Sequence, residues 1–211
     1  MNLVMSFRNL PVEGVEDLLT RFDQDIGGPE YFDHKPITCP DAVCLEDLAV
    51  TLLVNSRAGS KAALGVLKNC HEINLAQLPG VSLEDTSSLQ RDQVADMIAT
   101  IARWTGFGAS IASKMLHKKR PRLIPILDNQ ALFGAYMNEL WPKQRAKSDT
   151  VKDRDAIRKT LDCVWTDLNR KENQATWEAL AEQRPRRTRI QLFDNVWWVF
   201  FKDIEKERHK G

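Results

Sequence analysis

The sequence predicts an all-α protein folded as one globular unit over residues 1–211. Three observations carry that expectation. Apolar residues recur at three- and four-residue spacing, as in Val15, Leu18, Leu19 and Phe22, or Ile157, Leu161, Val164 and Leu168. That is the pattern of helices with one buried face. Helix punctuation falls beside these runs, with Ser87-Ser88 ahead of one and Gly27-Gly28-Pro29 behind another. Finally, 211 residues with 43% hydrophobic and 28% charged content suit a globular chain that buries a sizeable core.

Taken in order, Met1 to Arg8 is too short and too mixed for a signal peptide, and no apolar run reaches membrane-spanning length. The expected location is cytoplasmic, with no membrane partner. Pro11, followed by Glu13, Glu16 and Asp17, reads as a helix start with acids in its first turn. Residues 29–41 are turn-rich, with Tyr31 and Phe32 as core anchors. Leu45 to Val54 is apolar nearly all round and reads as a buried helix. Ser60 is placed as the N-cap of a helix over Lys61 to Lys68, and Leu75 to Val81 is a connector. Ser87 or Ser88 caps a helix carrying Val94, Met97, Ile98 and Ile101. A short helix over Leu132, Phe133, Tyr136 and Met137 is expected to stop near Trp141-Pro142. Residues 143–155 read as a charged, partly mobile stretch, and Ile157 to Leu168 as a helix. The last helix carries the stripe Ile190, Phe193, Trp197, Phe200 and Ile204, widened by further apolar residues, so it must pack on more than one side.

Thirty basic against 29 acidic residues exclude a general polyanion-coating protein, but leave room for a local patch. The cysteines at 39, 44, 70 and 163 form no CxxC pair, and the four histidines show no ligand spacing. No metal, metal cluster or cofactor is expected.

The chemistry concentrates between Asp96 and Asp128. That interval holds no other acid but carries Arg103, Lys114, Lys118, Lys119, Arg120 and Arg122. An amphipathic run leads into Gly106-Phe107-Gly108, and a second helix follows. Glycines there permit a tight turn and close backbone approach. Phe107 can plug the core, and Ala112 lets the two helices cross closely. The unpaired N–H groups that open the second helix suit a DNA phosphate. An ordinary αα-hairpin whose glycines serve packing alone explains the same pattern.

Gly106-Phe107-Gly108-Ala109-Ser110-Ile111-Ala112 resembles the hairpin of the helix-hairpin-helix DNA glycosylases, with the motif spanning residues 94–117. In that superfamily a catalytic aspartate follows at the head of the next helix, and Asp128, twenty residues after Gly108, is similar in interval. The resemblance implies a two-lobed helical bundle with a cleft, a double-stranded DNA partner carrying a damaged or modified base, and hydrolysis of its N-glycosidic bond. It assigns backbone binding to Gly106, Phe107, Gly108, Ser110, Lys114, Lys118, Lys119, Arg120 and Arg122. Bifunctional members carry a Schiff-base lysine two residues past the second glycine. Ser110 stands there, which implies a monofunctional enzyme without lyase activity. The family's C-terminal iron–sulfur cysteines are absent. Ser113 to Leu116 with Lys119 to Pro125 also resembles a set of uncharacterised bacterial proteins.

Physical chemistry supports the role of Asp128 independently. Glycosidic cleavage builds positive charge on the sugar, and a nearby carboxylate stabilises it and orients water. A helix N-terminus surrounded by cations favours the charged carboxylate; the same position suits a plain N-cap. Reaching a base also requires flipping it from the duplex. Trp165, Trp197 and Trp198 read as core, while Trp104, beside the hairpin, suits either the core or a base contact. Arg184, Arg186, Arg187 and Arg189 offer either a second phosphate contact or a solvated helix start. The rival readings are a non-catalytic helix-hairpin-helix DNA-binding protein, accessory or defensive, and a helical interaction protein whose hairpin merely packs.

Overall fold

Helices dominate the chain, which is described here from a computed structural model covering residues 3–25, 27–35, 39–54, 56–129, 131–137 and 150–208. Among those residues, the α-helices are α1 (Val15–Asp23), α2 (Gly28–Asp33), α3 (Leu45–Val50), α4 (Ser60–Asn69), α5 (Ser88–Ala102), α6 (Ala109–Lys119), α7 (Leu132–Met137), α8 (Arg154–Leu168), α9 (Lys171–Gln183) and α10 (Arg189–Arg208). The expected stop at Trp141-Pro142 and the first part of the charged stretch, 143–149, lie outside the described residues. The rest of that stretch is ordered as a 3-10 turn and the head of α8.

Two corrections concern the first dozen residues. They form an antiparallel pair, β1 (Met5–Phe7) and β2 (Leu10–Val12), with Phe7 opposite Leu10. Pro11 therefore lies in a strand, and the helix begins at Val15 behind a left-handed Gly14. Arg8 and Asn9 both take positive φ, the tight hairpin turn that matches strand twist. The pair is tied to the far end of the chain. Ser6 N–H donates to Asn173 Oδ1 at 2.8 Å, and Arg8 N–H to Asp167 Oδ2 at 3.0 Å. Phe7 stacks with Phe193 and Trp197 of α10 in edge-on geometry.

The capping residues act largely as expected. Ser87 and Gln90 form the reciprocal box that opens α5. Gly59, not Ser60, precedes α4. The Leu45–Val54 segment departs further: α3 stops at Val50, a 3-10 turn follows, and Leu45, Leu52 and Leu53 face outward. The segment is amphipathic rather than buried all round. α9 has no counterpart in the sequence reading, because only Trp177 and Leu180 give it strong apolar anchors. α5 packs on both α6 and α8, while α10 packs on α1.

α6 carries an unusual burden. The described residues between 27 and 54 form only short helices and turns, so carbonyls outside those ladders need donors from elsewhere. The lysines of α6 supply them. Lys114 Nζ donates to Val54 O at 3.0 Å, Lys118 Nζ to Tyr31 O, and Lys119 Nζ to Cys39 O at 3.2 Å. Lys119 also pairs with Asp47 at 3.0 Å, both side chains 1% exposed. Just past the helix, Arg120 reaches Pro40 O, Leu75 O and the Asp41 carboxylate. Tyr31 returns the contact, its hydroxyl donating to Lys114 O at 2.6 Å.

Close by, His117 is fully buried and Asp194 nearly so. His117 Nδ1 lies 2.7 Å from Ile124 O, a contact in which the ring nitrogen donates. Burial pushes the imidazole down to about 3, well below its ordinary 6.5. Asp194, 3.7 Å away, is raised well above its ordinary 3.8 by burial, partly offset by the N–H of Ile126. Burial thus disfavours charge on both groups, and their approach lacks the geometry of a hydrogen-bonded ion pair.

Two tests follow from this interior. Lys119→Met leaves Asp47 as a lone buried charge and should lower unfolding free energy in urea by about 3–5 kcal/mol. Adding Asp47→Leu should restore part of that loss; a double variant less stable than the single one contradicts the account. For pH, the neutral His117 contributes fully above 6.5 and loses that contribution as pH falls toward 3. Asp194 has the opposite sign, since acidification removes the penalty of burying a carboxyl that ionises when unfolded. Asp194→Asn should therefore make stability fall more steeply between pH 6.5 and 3.8 than in the parent. Equal slopes in denaturant titrations argue against this pairing.

Candidate functional site

The path from α6 to Asp128 is pinned residue by residue. Ile124 N–H returns to Arg120 O, and Ile124 O meets His117. Ile126 N–H donates to Asp194 Oδ2 at 3.1 Å, and Leu127 N–H to Ser113 Oγ at 2.9 Å. Three buried polar groups thus hold an extended loop that has no sheet partner. Asp128 stands at its end. Its Oδ1 accepts the N–H of Ala131 at 3.0 Å, and its carbonyl accepts that of Phe133 at 2.8 Å. The other oxygen, Oδ2, lies 3.9 Å from Lys114 Nζ, and the side chain is 24% exposed. Asp128 thus closes the turn that precedes α7, which starts four residues later at Leu132, and at the same time presents a carboxylate to a cleft.

That cleft encloses about 590 Å³ of empty space counted out to its mouth. Its walls are mostly apolar and aromatic, with Phe22 and Phe32 on one side and Trp197 and Trp198 on the other. The polar groups converging in it include Asp128, Lys114 and Asp194. Burial lowers the Lys114 ammonium, and Asp128 counteracts that in part. Gly27 shapes the rim. At φ 90°, any Cβ there would come within 2.1 Å of Leu53 O, so only glycine lets the start of α2 meet the 51–54 turn this closely.

The hairpin is well formed but differs from expectation in its surroundings. Gly106 adopts φ 82°, while Gly108 is extended, so only the first glycine needs left-handed freedom. A Cβ on Gly106 would meet Ala62 N at 2.6 Å, which shows the turn lying against the head of α4. Phe107 is buried edge-on to Trp104, and Ala112 is fully buried, as the close crossing requires.

The expected basic surface is corrected by the fold. Lys114, Lys118 and Lys119 are 5–8% exposed and point inward, and Arg120 is held by Asp41 and three carbonyls. These four side chains fasten the fold instead of facing a phosphate. Arg122 and Arg103 are exposed, and Ser110 is half-buried. Lys61, which the motif did not single out, is exposed beside Gly106 and joins Arg103 at the hairpin. Its position depends on how α4 docks, which no local spacing reveals. Asp194 was likewise unmarked, because a single Asp within an apolar helix reads as a partly exposed residue. Of the tryptophans, Trp104, Trp177 and Trp197 are buried, whereas Trp165 and Trp198 are partly exposed.

Among the described residues no group of three His, Cys, Asp or Glu side chains gathers at metal-binding range, and no helix is long and apolar enough to cross a membrane. No curated protein and no solved structure matches the chain. A family profile does match, over residues 15–200, from α1 through most of α10, so it takes in both the hairpin and the Asp128 cleft. On that match the chain belongs to DUF6308, a family of unknown function.

Proposed function

We propose that this protein is a monofunctional DNA glycosylase, a two-lobed member of the helix-hairpin-helix class that hydrolyses the N-glycosidic bond of a damaged or modified base. The observation that carries the reading is the setting of Asp128. A partly exposed carboxylate in the turn before α7 opens onto a cleft with aromatic walls, a short path in sequence after a glycine hairpin. Such walls suit an extruded base, which needs flat apolar surfaces to replace its lost stacking.

In this reading Asp128 faces the sugar and stabilises the positive charge that grows at its anomeric carbon as the bond to the base stretches. The same carboxylate orients the water that completes hydrolysis. Lys114, 3.9 Å away, and the Ala131 N–H hold the carboxylate in one orientation. Asp194 supplies a second carboxyl on the cleft wall, where burial disfavours its charged form. Hairpin contacts come from the N–H groups opening α6 with Arg103 and Lys61 beside them, in place of the inward lysines.

Lys114 and Ala131 also give Asp128 a structural task, which favours the second reading, a helix-hairpin-helix DNA-binding protein without chemistry. Purified protein incubated with duplexes carrying lesions or phage-type modifications separates the two. Asp128→Asn should lower base release by about 10²–10³-fold while leaving duplex affinity within a few-fold of the parent. Release from none of the duplexes by the parent, or full release by the variant, overturns the enzymatic reading.

A further inference from the structure

A second, larger depression lies on the other side of Phe32, whose ring lines both it and the Asp128 cleft. It is an open groove of about 1950 Å³ counted to its mouth, between the α2 end and the α9–α10 junction. Lys35, Arg184, Arg186 and Arg187 line it beside the inward Lys118, against the two carboxylates Asp23 and Asp33. In a chain whose net charge is +1, the four arginine and lysine side chains other than Lys118 leave a local excess of two positive charges. Mixed-sign faces are the rule for solvated surfaces, so this concentration needs a reason.

Not all of the positive charge is spent inside the molecule. Arg184 is 3.2 Å from Asp23, and Arg187 is 3.2 Å from an Asp33 that is itself 74% exposed. Arg187 Nη1, however, is buried on the groove wall with no hydrogen-bond partner among the described residues. That nitrogen is closed to solvent, so Arg187 gives the groove the positive field of a guanidinium held over the Phe32 ring and no open donor at Nη1. Arg186 and Lys35 are exposed and form no ion pair among the described residues.

We infer that this groove carries the phosphodiester backbone of the DNA strand whose nucleotide enters the Asp128 cleft. The inference rests on the proposed glycosylase reading and moves the main phosphate contacts from the α6 lysines to the Lys35 and Arg184–Arg187 groove. Phe32, shared by both depressions, marks the passage from the backbone track to the base site. A phosphate chain fits better than an acidic peptide because the groove shares Phe32 with an aromatic cleft, and bases have planar faces to stack there.

The test uses full-length protein and a fluorescein-labelled, unmodified 20-base-pair duplex, with anisotropy read across a salt series. Lys35→Glu/Arg186→Glu should weaken binding on the order of tenfold or more at moderate salt. It should also flatten the plot of log K against log salt by about one unit per lost contact. Lys171→Glu, roughly 18 Å away along α9 by helix rise, should change neither. Wild-type affinity and slope in the double variant overturn the inference whether or not Asp128 releases a base. So does binding of polyglutamate in preference to the duplex. Groove-dependent DNA binding without base release from any duplex upholds the groove and removes the glycosylase reading alone.

Discussion

The interaction on which the structure depends is the grip of α6 on residues 27–54. That stretch folds into short helices and turns, so many of its carbonyls have no ladder to join. Lysine is a good solution to this problem. Its long apolar stem packs along the core while its ammonium offers three donors at the end. Lys114, Lys118 and Lys119 use those donors on Val54, Tyr31 and Cys39, and Arg120 does the same for Pro40 and Leu75. Burial makes these contacts costly to break, because the alternative is a desolvated charge without a partner. It also pushes the Lys118 ammonium down to about 8, with Arg187 adding to the effect.

Site geometry follows from that grip. Held against α6, the 51–54 turn and α2 become one wall of the cleft, and α10 supplies another through Trp197 and Trp198. The loop from Arg120 to Asp128 runs beside them, fixed by His117, Ser113 and Asp194. Asp128 therefore reaches the cleft from a rigid support and not from a free loop, which is what a positioned carboxylate requires. The groove beyond Phe32 has a different character: it is more open, and Lys35 and Arg186 stand exposed on it.

Much of the helical order was legible in the chain because periodicity and capping are local signals. Ser87 with Gln90, Val15 to Phe22 and Ile157 to Leu168 all announce themselves within a few residues. The Asp128 loop was also readable, since the interval from Gly108 places it without knowledge of the fold. Lys114, Lys118 and Lys119 were not. Their partners lie 60 to 87 residues away, so no window could reveal that they face inward. The cation-rich, acid-free run has a physical explanation after all: carbonyl oxygens serve as the acceptors that acidic neighbours would otherwise supply. The 5–12 hairpin escaped notice because three-residue strands are too short to show alternation, and its Arg8-Asn9 turn lacks the usual glycine.

Lysine reactivity, mapped by mass spectrometry after brief acylation of the native protein with and without duplex DNA, tests the inward orientation most directly. The account predicts that Lys114, Lys118 and Lys119 stay unmodified in both conditions, and that Lys35 reacts readily until the duplex covers it. Labelling of the three α6 lysines as fast as Lys61, with DNA protecting them and leaving Lys35 reactive, would contradict it.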